Sequence, residues 1–110
     1  MKNALFICGK ARQRSPTAAE VTRLWPNIAA DYAGLSRDAD EPLTPEMLDW
    51  ATVIFVMERS QKKRVSNILG PIPAGKRLVS LDIPDRYDFM SEDLIAILKT
   101  KLSYHFGPCT

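Results

Sequence analysis

Leu5-Phe6-Ile7-Cys8-Gly9-Lys10-Ala11-Arg12-Gln13-Arg14-Ser15-Pro16 is the stretch of this 110-residue chain whose reading decides the fold. An apolar run, Ala4 to Ile7, ends in a cysteine; five residues separate that cysteine from Arg14. Ser15-Pro16 then opens a segment, Thr17 to Trp25, with helical periodicity. The order reads as buried strand, loop, helix. A loop in that place can turn backbone N–H groups onto an anion, and the helix behind it adds its own free N–H groups and positive dipole end. Pro16 suits the start of a helix, where its missing N–H has no partner to lose. Arg14 can grip two oxygens of a phosphate with a planar fork that lysine cannot reproduce. The same field favours a thiolate, so Cys8 reads as a nucleophile. A buried structural cysteine near an exposed arginine would give the same spacing. The strand before it, the Ser-Pro after it and the βαβ pattern that follows favour the phosphate loop.

Outward from that stretch, residues 3–8 are the first strand. Residues 15–25 are a helix with Ala18, Val21, Thr22 and Trp25 on one face, stopped by Pro26. Ile28 to Tyr32 is a weaker strand ending at Ala33-Gly34, and 35–43 is a polar loop. Thr44-Pro45 reads as N-cap and first residue of a short helix through Trp50. Thr52 to Met57 is the continuous apolar run of a central parallel strand. Arg59 to Leu69 is a charged helix with Val65, Ile68 and Leu69 turned inward, closed by Gly70-Pro71. Arg77 to Ile83 is a fourth strand, and Pro84 to Met90 a loop. Leu94, Ile97, Leu98, Leu102 and His105 mark the inner face of a last helix. Strands alternating with helices predict an α/β three-layer sandwich on a four-stranded parallel sheet of order 2-1-3-4. Strands 1 and 3 then flank the switch point, where ligands bind at strand C-termini, and the phosphate loop falls there.

Composition sets bounds on this reading. Hydrophobic residues are 45% and charged residues 25% of the chain, as in a globular protein, and residues 1–110 are expected to form a single domain. The net charge of +2 is too small to argue for nucleic acid. No secretory segment is expected, because Lys10, Arg12 and Arg14 interrupt the N-terminus early, and no apolar run reaches the length of a membrane span. The expectation is a cytoplasmic protein with both cysteines, Cys8 and Cys109, as free thiols. One histidine and no cysteine cluster argue against a metal site, and no cofactor is expected.

With these residues in place, the chain resembles the low-molecular-weight protein tyrosine phosphatases over nearly its whole length. Leu5-Phe6-Ile7-Cys8 through Arg14-Ser15-Pro16-Thr17-Ala18 resembles the family's first strand, signature loop and helix. Ala33-Gly34-Leu35 resembles the end of its second strand, and Val53 through Met57-Glu58 its third. Leu81-Asp82-Ile83-Pro84-Asp85 falls where the family keeps its general acid. The run looks most like a short bacterial branch, lacking a helix and an aromatic substrate wall between strands 2 and 3. The resemblance implies a flavodoxin-like fold (the phosphotyrosine phosphatase I type) and a phosphomonoester hydrolase working through a cysteinyl-phosphate, with a phosphotyrosine protein as substrate. It implies phosphate binding by Gly9, Lys10, Ala11, Arg12, Gln13, Arg14 and Ser15. Ala11 stands where the family has a loop-bracing asparagine, and Gln13 where it has a second cysteine. Other readings stay open: a non-catalytic phosphate-binding module, a phosphatase of nucleotide or RNA phosphates, and, with only Cys109 to relay a disulfide, an arsenate reductase as the weakest.

The acid is ambiguous between Asp82 and Asp85. A gapless match through strand 4 favours Asp82; the distance back from the last helix favours Asp85. Tyr87 and Phe89 are either one wall of the pocket or core packing. Asp38, Asp40 and Glu41 either rim the site or form a solvated loop. Arg59, Lys62, Lys63 and Arg64 read better as a solvated helix face than as a nucleic-acid patch. His105 reads as structural and Cys109 as an inert tail residue.

Overall fold

A buried strand needs a helix on each side, and this chain supplies them in alternation. The computed structural model describes residues 2–72 and 75–108, so Cys109 lies outside the described residues. The elements are β1 (Lys2–Cys8), α1 (Arg14–Val21), β2 (Ile28–Gly34), α2 (Pro45–Trp50), β3 (Val53–Val56), α3 (Arg59–Leu69), β4 (Arg77–Ser80) and α4 (Glu92–Phe106). The four strands form one parallel sheet in the order β2-β1-β3-β4, as expected from the sequence.

Alternation along the central strands divides the core in two. Ala4, Phe6 and Cys8 of β1 join Val53 and Phe55 of β3 on one face, beneath Ala18, Val21 and Trp25 and beneath Leu94, Leu98 and Leu102 of α4. Phe6 and Phe55 stack there with ring centroids 5.2 Å apart. Leu5, Ile7, Ile54 and Val56 point to the other face, against Leu48 of α2 and Val65 of α3. His105 meets the Phe55 ring edge-on at 5.2 Å, and its partial burial lowers its pKa, with Arg77 and Lys2 adding to the effect. That is a packing role.

Caps account for the helix boundaries. The Thr44 hydroxyl accepts from the Met47 N–H, and Ser91 accepts from Leu94. Glu58 and Gln61 form a reciprocal capping box at the start of α3. α1 begins at Arg14, one residue before the expected start, and continues as a 3₁₀ turn over Thr22–Leu24. Pro16 still falls in the first turn, where N–H groups have no intrahelical acceptor.

Two expectations fail. Ile68 is half exposed rather than inward, while Val65 is fully buried; the Leu69 side chain lies outside what the structure describes. An 11-residue helix is about 16 Å long and a four-residue strand about 13 Å, so α3 outruns the strands it covers. β4 stops at Ser80 instead of Ile83 because Asp82 takes a left-handed backbone, φ 55°. The chain stays beside β3 all the same: the N–H groups of Leu81 and Ile83 donate to the carbonyls of Val56 and Met57 at 2.9 and 2.8 Å.

Candidate active site

The loop from Gly9 to Gln13 leaves the C-terminal end of β1, and the chain after β2 wraps around its outside. Leu35 N–H donates to the Cys8 carbonyl at 2.9 Å, Ser36 N–H to that of Gly9 at 2.8 Å, and Asp40 N–H to that of Lys10 at 3.0 Å. In a trans peptide the next N–H points opposite to the carbonyl. Holding three carbonyls outward therefore turns the N–H groups of Gly9, Lys10 and Ala11 inward. Ala11 shows the result: its N–H donates to Cys8 Sγ at 3.2 Å. The wrap needs a glycine at position 34, since a Cβ there would stand 2.5 Å from the Ala39 Cβ and 2.9 Å from the Gly9 carbonyl oxygen. Ala11 itself holds a left-handed φ of 59°, which costs an ordinary residue about 1–2 kcal/mol.

Cys8 is buried, and its sulfur shares a 2.9 Å hydrogen bond with the Ser15 hydroxyl. Arg14 is also buried. One end of its guanidinium is fixed: Nη1 donates to Glu58 Oε1 at 3.1 Å and to the Ile83 carbonyl at 2.7 Å. Glu58 follows β3 and Ile83 follows β4, so the ends of two strands orient the arginine. Its Nε and Nη2 remain for a ligand, and Nε lies 3.8 Å from Asp85 Oδ1.

These groups open into a pocket of about 500 Å³ lined by Cys8, Gly9, Lys10, Arg12, Gln13, Arg14, Ser36, Arg64 and Asp85. Asp85 is its only carboxylate among the described residues. Asp82 is not in it. Its carboxylate accepts from the Ser80 hydroxyl at 2.7 Å, pairs with Arg59 at 3.4 Å, and borders a different pocket with Lys101 and Tyr104. The Ser80 hydroxyl, with Arg59 behind it, holds the Asp82 carboxyl below the usual carboxylate range. The preference for Asp82 needs a strand running to Ile83, and β4 ends at Ser80.

Tyr87 and Phe89 do not wall the pocket. Tyr87 packs against the core, and Phe89 is exposed in a separate cleft with Tyr32 and Pro16. The acidic loop does more than face solvent: Asp38 pairs with Lys10 at 2.9 Å and Asp40 with Arg12 at 3.2 Å. The Ser36 hydroxyl first, then Lys10, lowers the Asp38 pKa to about 2. Arg64, read as part of a solvated face, lines the pocket. Its place at the sixth residue of α3 gave no signal for this, because nothing in sequence says how far α3 overhangs the sheet edge.

The sheet order and the loop at its switch point define the fold of the low-molecular-weight protein tyrosine phosphatases. The tyrosine phosphatase Wzb from Escherichia coli K30, solved with phosphate, superposes with a TM-score of 0.72 at 20% identity over 96% of both chains. The low-molecular-weight protein tyrosine phosphatase from Streptococcus pyogenes matches 71% of both chains at 14% identity and a TM-score of 0.61. The YwlE arginine phosphatase from Geobacillus stearothermophilus covers 99% of this chain and 88% of its own at 16% identity, with a TM-score of 0.62. No protein-family profile and no curated protein matches the sequence. No helix among the described residues is long and apolar enough to cross a membrane.

Proposed function

We propose that this chain is a cytoplasmic, single-domain phosphomonoester hydrolase acting through a cysteinyl-phosphate. The Cys8 thiolate attacks phosphorus and the bond to the leaving oxygen breaks. Asp85, entering as the carboxylic acid, gives that oxygen its proton. Asp85 carboxylate then takes a proton from water, the water oxygen attacks phosphorus, and the S–P bond breaks to release phosphate and the Cys8 thiolate. Arg14 binds two equatorial oxygens through Nε and Nη2 and steadies the charge that spreads over them. Lys10, Arg12 and Gln13 surround the same anion, with the inward N–H groups of Gly9 and Lys10; the Ala11 N–H and the Ser15 hydroxyl donate to the sulfur. The observation that carries this reading is the convergence of Cys8, Arg14 and Asp85 on one pocket with the Ala11 N–H on the sulfur.

Mixing with an aryl phosphate and quenching in acid tests it. Mass spectrometry should find phosphate on the peptide carrying Cys8, and Cys8→Ser should fold, bind phosphate and turn nothing over. A Cys8→Ser variant with normal activity would end the proposal. Phosphotyrosine proteins are the first substrates to assay, because Wzb is a tyrosine phosphatase. A second reading, hydrolysis of nucleotide or other non-aryl phosphates, is favoured by one observation: no aromatic side chain among the described residues lines the pocket.

A further inference from the structure

The leaving group must sit among the side chains at the mouth, and four of these are cationic against the single carboxylate of Asp85. Lys10, Arg12, Arg14 and Arg64 all line the pocket. Three of them are committed to carboxylates: Lys10 to Asp38, Arg12 to Asp40 and Arg14 to Glu58. Arg64 has no carboxylate partner among the described residues. Its backbone is nonetheless well placed. α3 starts from Glu58, which is bonded to Arg14, so the carboxylate that anchors the first-phosphate clamp and Arg64 ride on the same short helix, about 9 Å apart along its axis. A guanidinium so placed matches a second phosphate bidentately. An aryl ring, by contrast, finds no apolar wall. A pocket of about 500 Å³ is of small-molecule size.

We propose that the substrate is a small phosphate monoester whose leaving group carries a second phosphate, held by Arg64 while the first reacts in the loop over Cys8. This rests on the reading of the pocket as a phosphate-ester site and adds to it a specificity residue and a substrate class, a bisphosphorylated nucleoside or sugar.

The test uses the Cys8→Ser chain, titrated at one ionic strength with adenosine 5′-monophosphate and adenosine 3′,5′-bisphosphate. The bisphosphate should bind at least about tenfold tighter, the scale of one charge-assisted pair. Adding Arg64→Gln should remove most of that ratio, with the circular dichroism spectrum unchanged. In the wild-type chain the same preference should appear in KM rather than kcat. Equal affinities, or a ratio indifferent to Arg64→Gln, would overturn the inference. So would a phosphotyrosine peptide with acidic flanks that gains from Arg64 while the bisphosphate does not. Inorganic phosphate is the control that separates the two levels. If it binds and the ratio is absent, only this inference falls; if it fails to bind, the phosphate-pocket reading falls with it.

Discussion

Two strand ends on the same edge of the sheet are finished in opposite ways. β1 pairs along seven residues with β2 and delivers Cys8 into a loop whose carbonyls are tied outward. β4 is four residues long and is followed at once by a turn onto Ser80. Each end spends one non-glycine residue in the left-handed region, Ala11 at φ 59° and Asp82 at φ 55°. At β1 that geometry brings a backbone N–H to the sulfur. At β4 it carries a carboxylate out of the pocket and hands its place to Asp85, three residues on. The same backbone device builds a site in one place and clears it in the other. Aspartate tolerates the left-handed region better than alanine does, so the strain lies at the end that carries Cys8.

The comparison breaks most easily at Arg14, which both ends hold in common. Arg14→Lys loses the fork, the Glu58 bond and the Ile83 bond together, and kcat/KM should fall about 10²–10³-fold. Near-normal kinetics in that variant would mean the guanidinium is structural only. Next in size is Gly34→Ala. Its Cβ has no room beside Ala39 and the Gly9 carbonyl, and crowding of that kind costs about 1–3 kcal/mol. Thermal melts should show the loss, and phosphate affinity should drop with it; an unchanged melting temperature would show that the wrap around the loop can give way freely. The smallest effect concerns Asp38, whose folded pKa lies near 2 against an ordinary 3.8. A depressed carboxyl contributes its stability fully above about pH 4 and loses it as pH falls towards 2. The Asp38–Lys10 tether should therefore persist to about pH 3, and in Ser36→Ala the carboxyl midpoint, followed by NMR, should move up towards 3.8. A midpoint that stays put would assign the shift to Lys10 alone.

The β1 end was legible in sequence because its reactive groups are local. Cys8, Arg14, Ser15 and the helix behind them lie within one short run, and the loop can be read without knowing the rest of the fold. The sheet order followed from the alternation of apolar runs with helical faces, and Leu94, Leu98 and Leu102 show the inner face of α4 where periodicity puts it. The β4 end was not legible, because one backbone angle decides which of two aspartates meets the pocket. Leu81-Asp82-Ile83 alternates like a strand, and only the Ser80 hydroxyl bonding back to Asp82 ends it. The places of Arg64 and Ile68 escape the sequence for a related reason. Helical periodicity gives direction around an axis and says nothing about where the sheet beneath it stops.

The central claim is that the two ends differ in kind, with the acid on the loop and not at the turn. Asp85→Asn and Asp82→Asn, assayed side by side on a phosphate ester with a poor leaving group, test it most directly. Asp85→Asn should slow turnover by about 10²–10⁴-fold, the range of general acid–base catalysis, and much less on an activated aryl phosphate that needs little proton transfer. Asp82→Asn should stay within about threefold of wild type on both. The reverse order, with Asp82→Asn crippled and Asp85→Asn intact, would contradict the account.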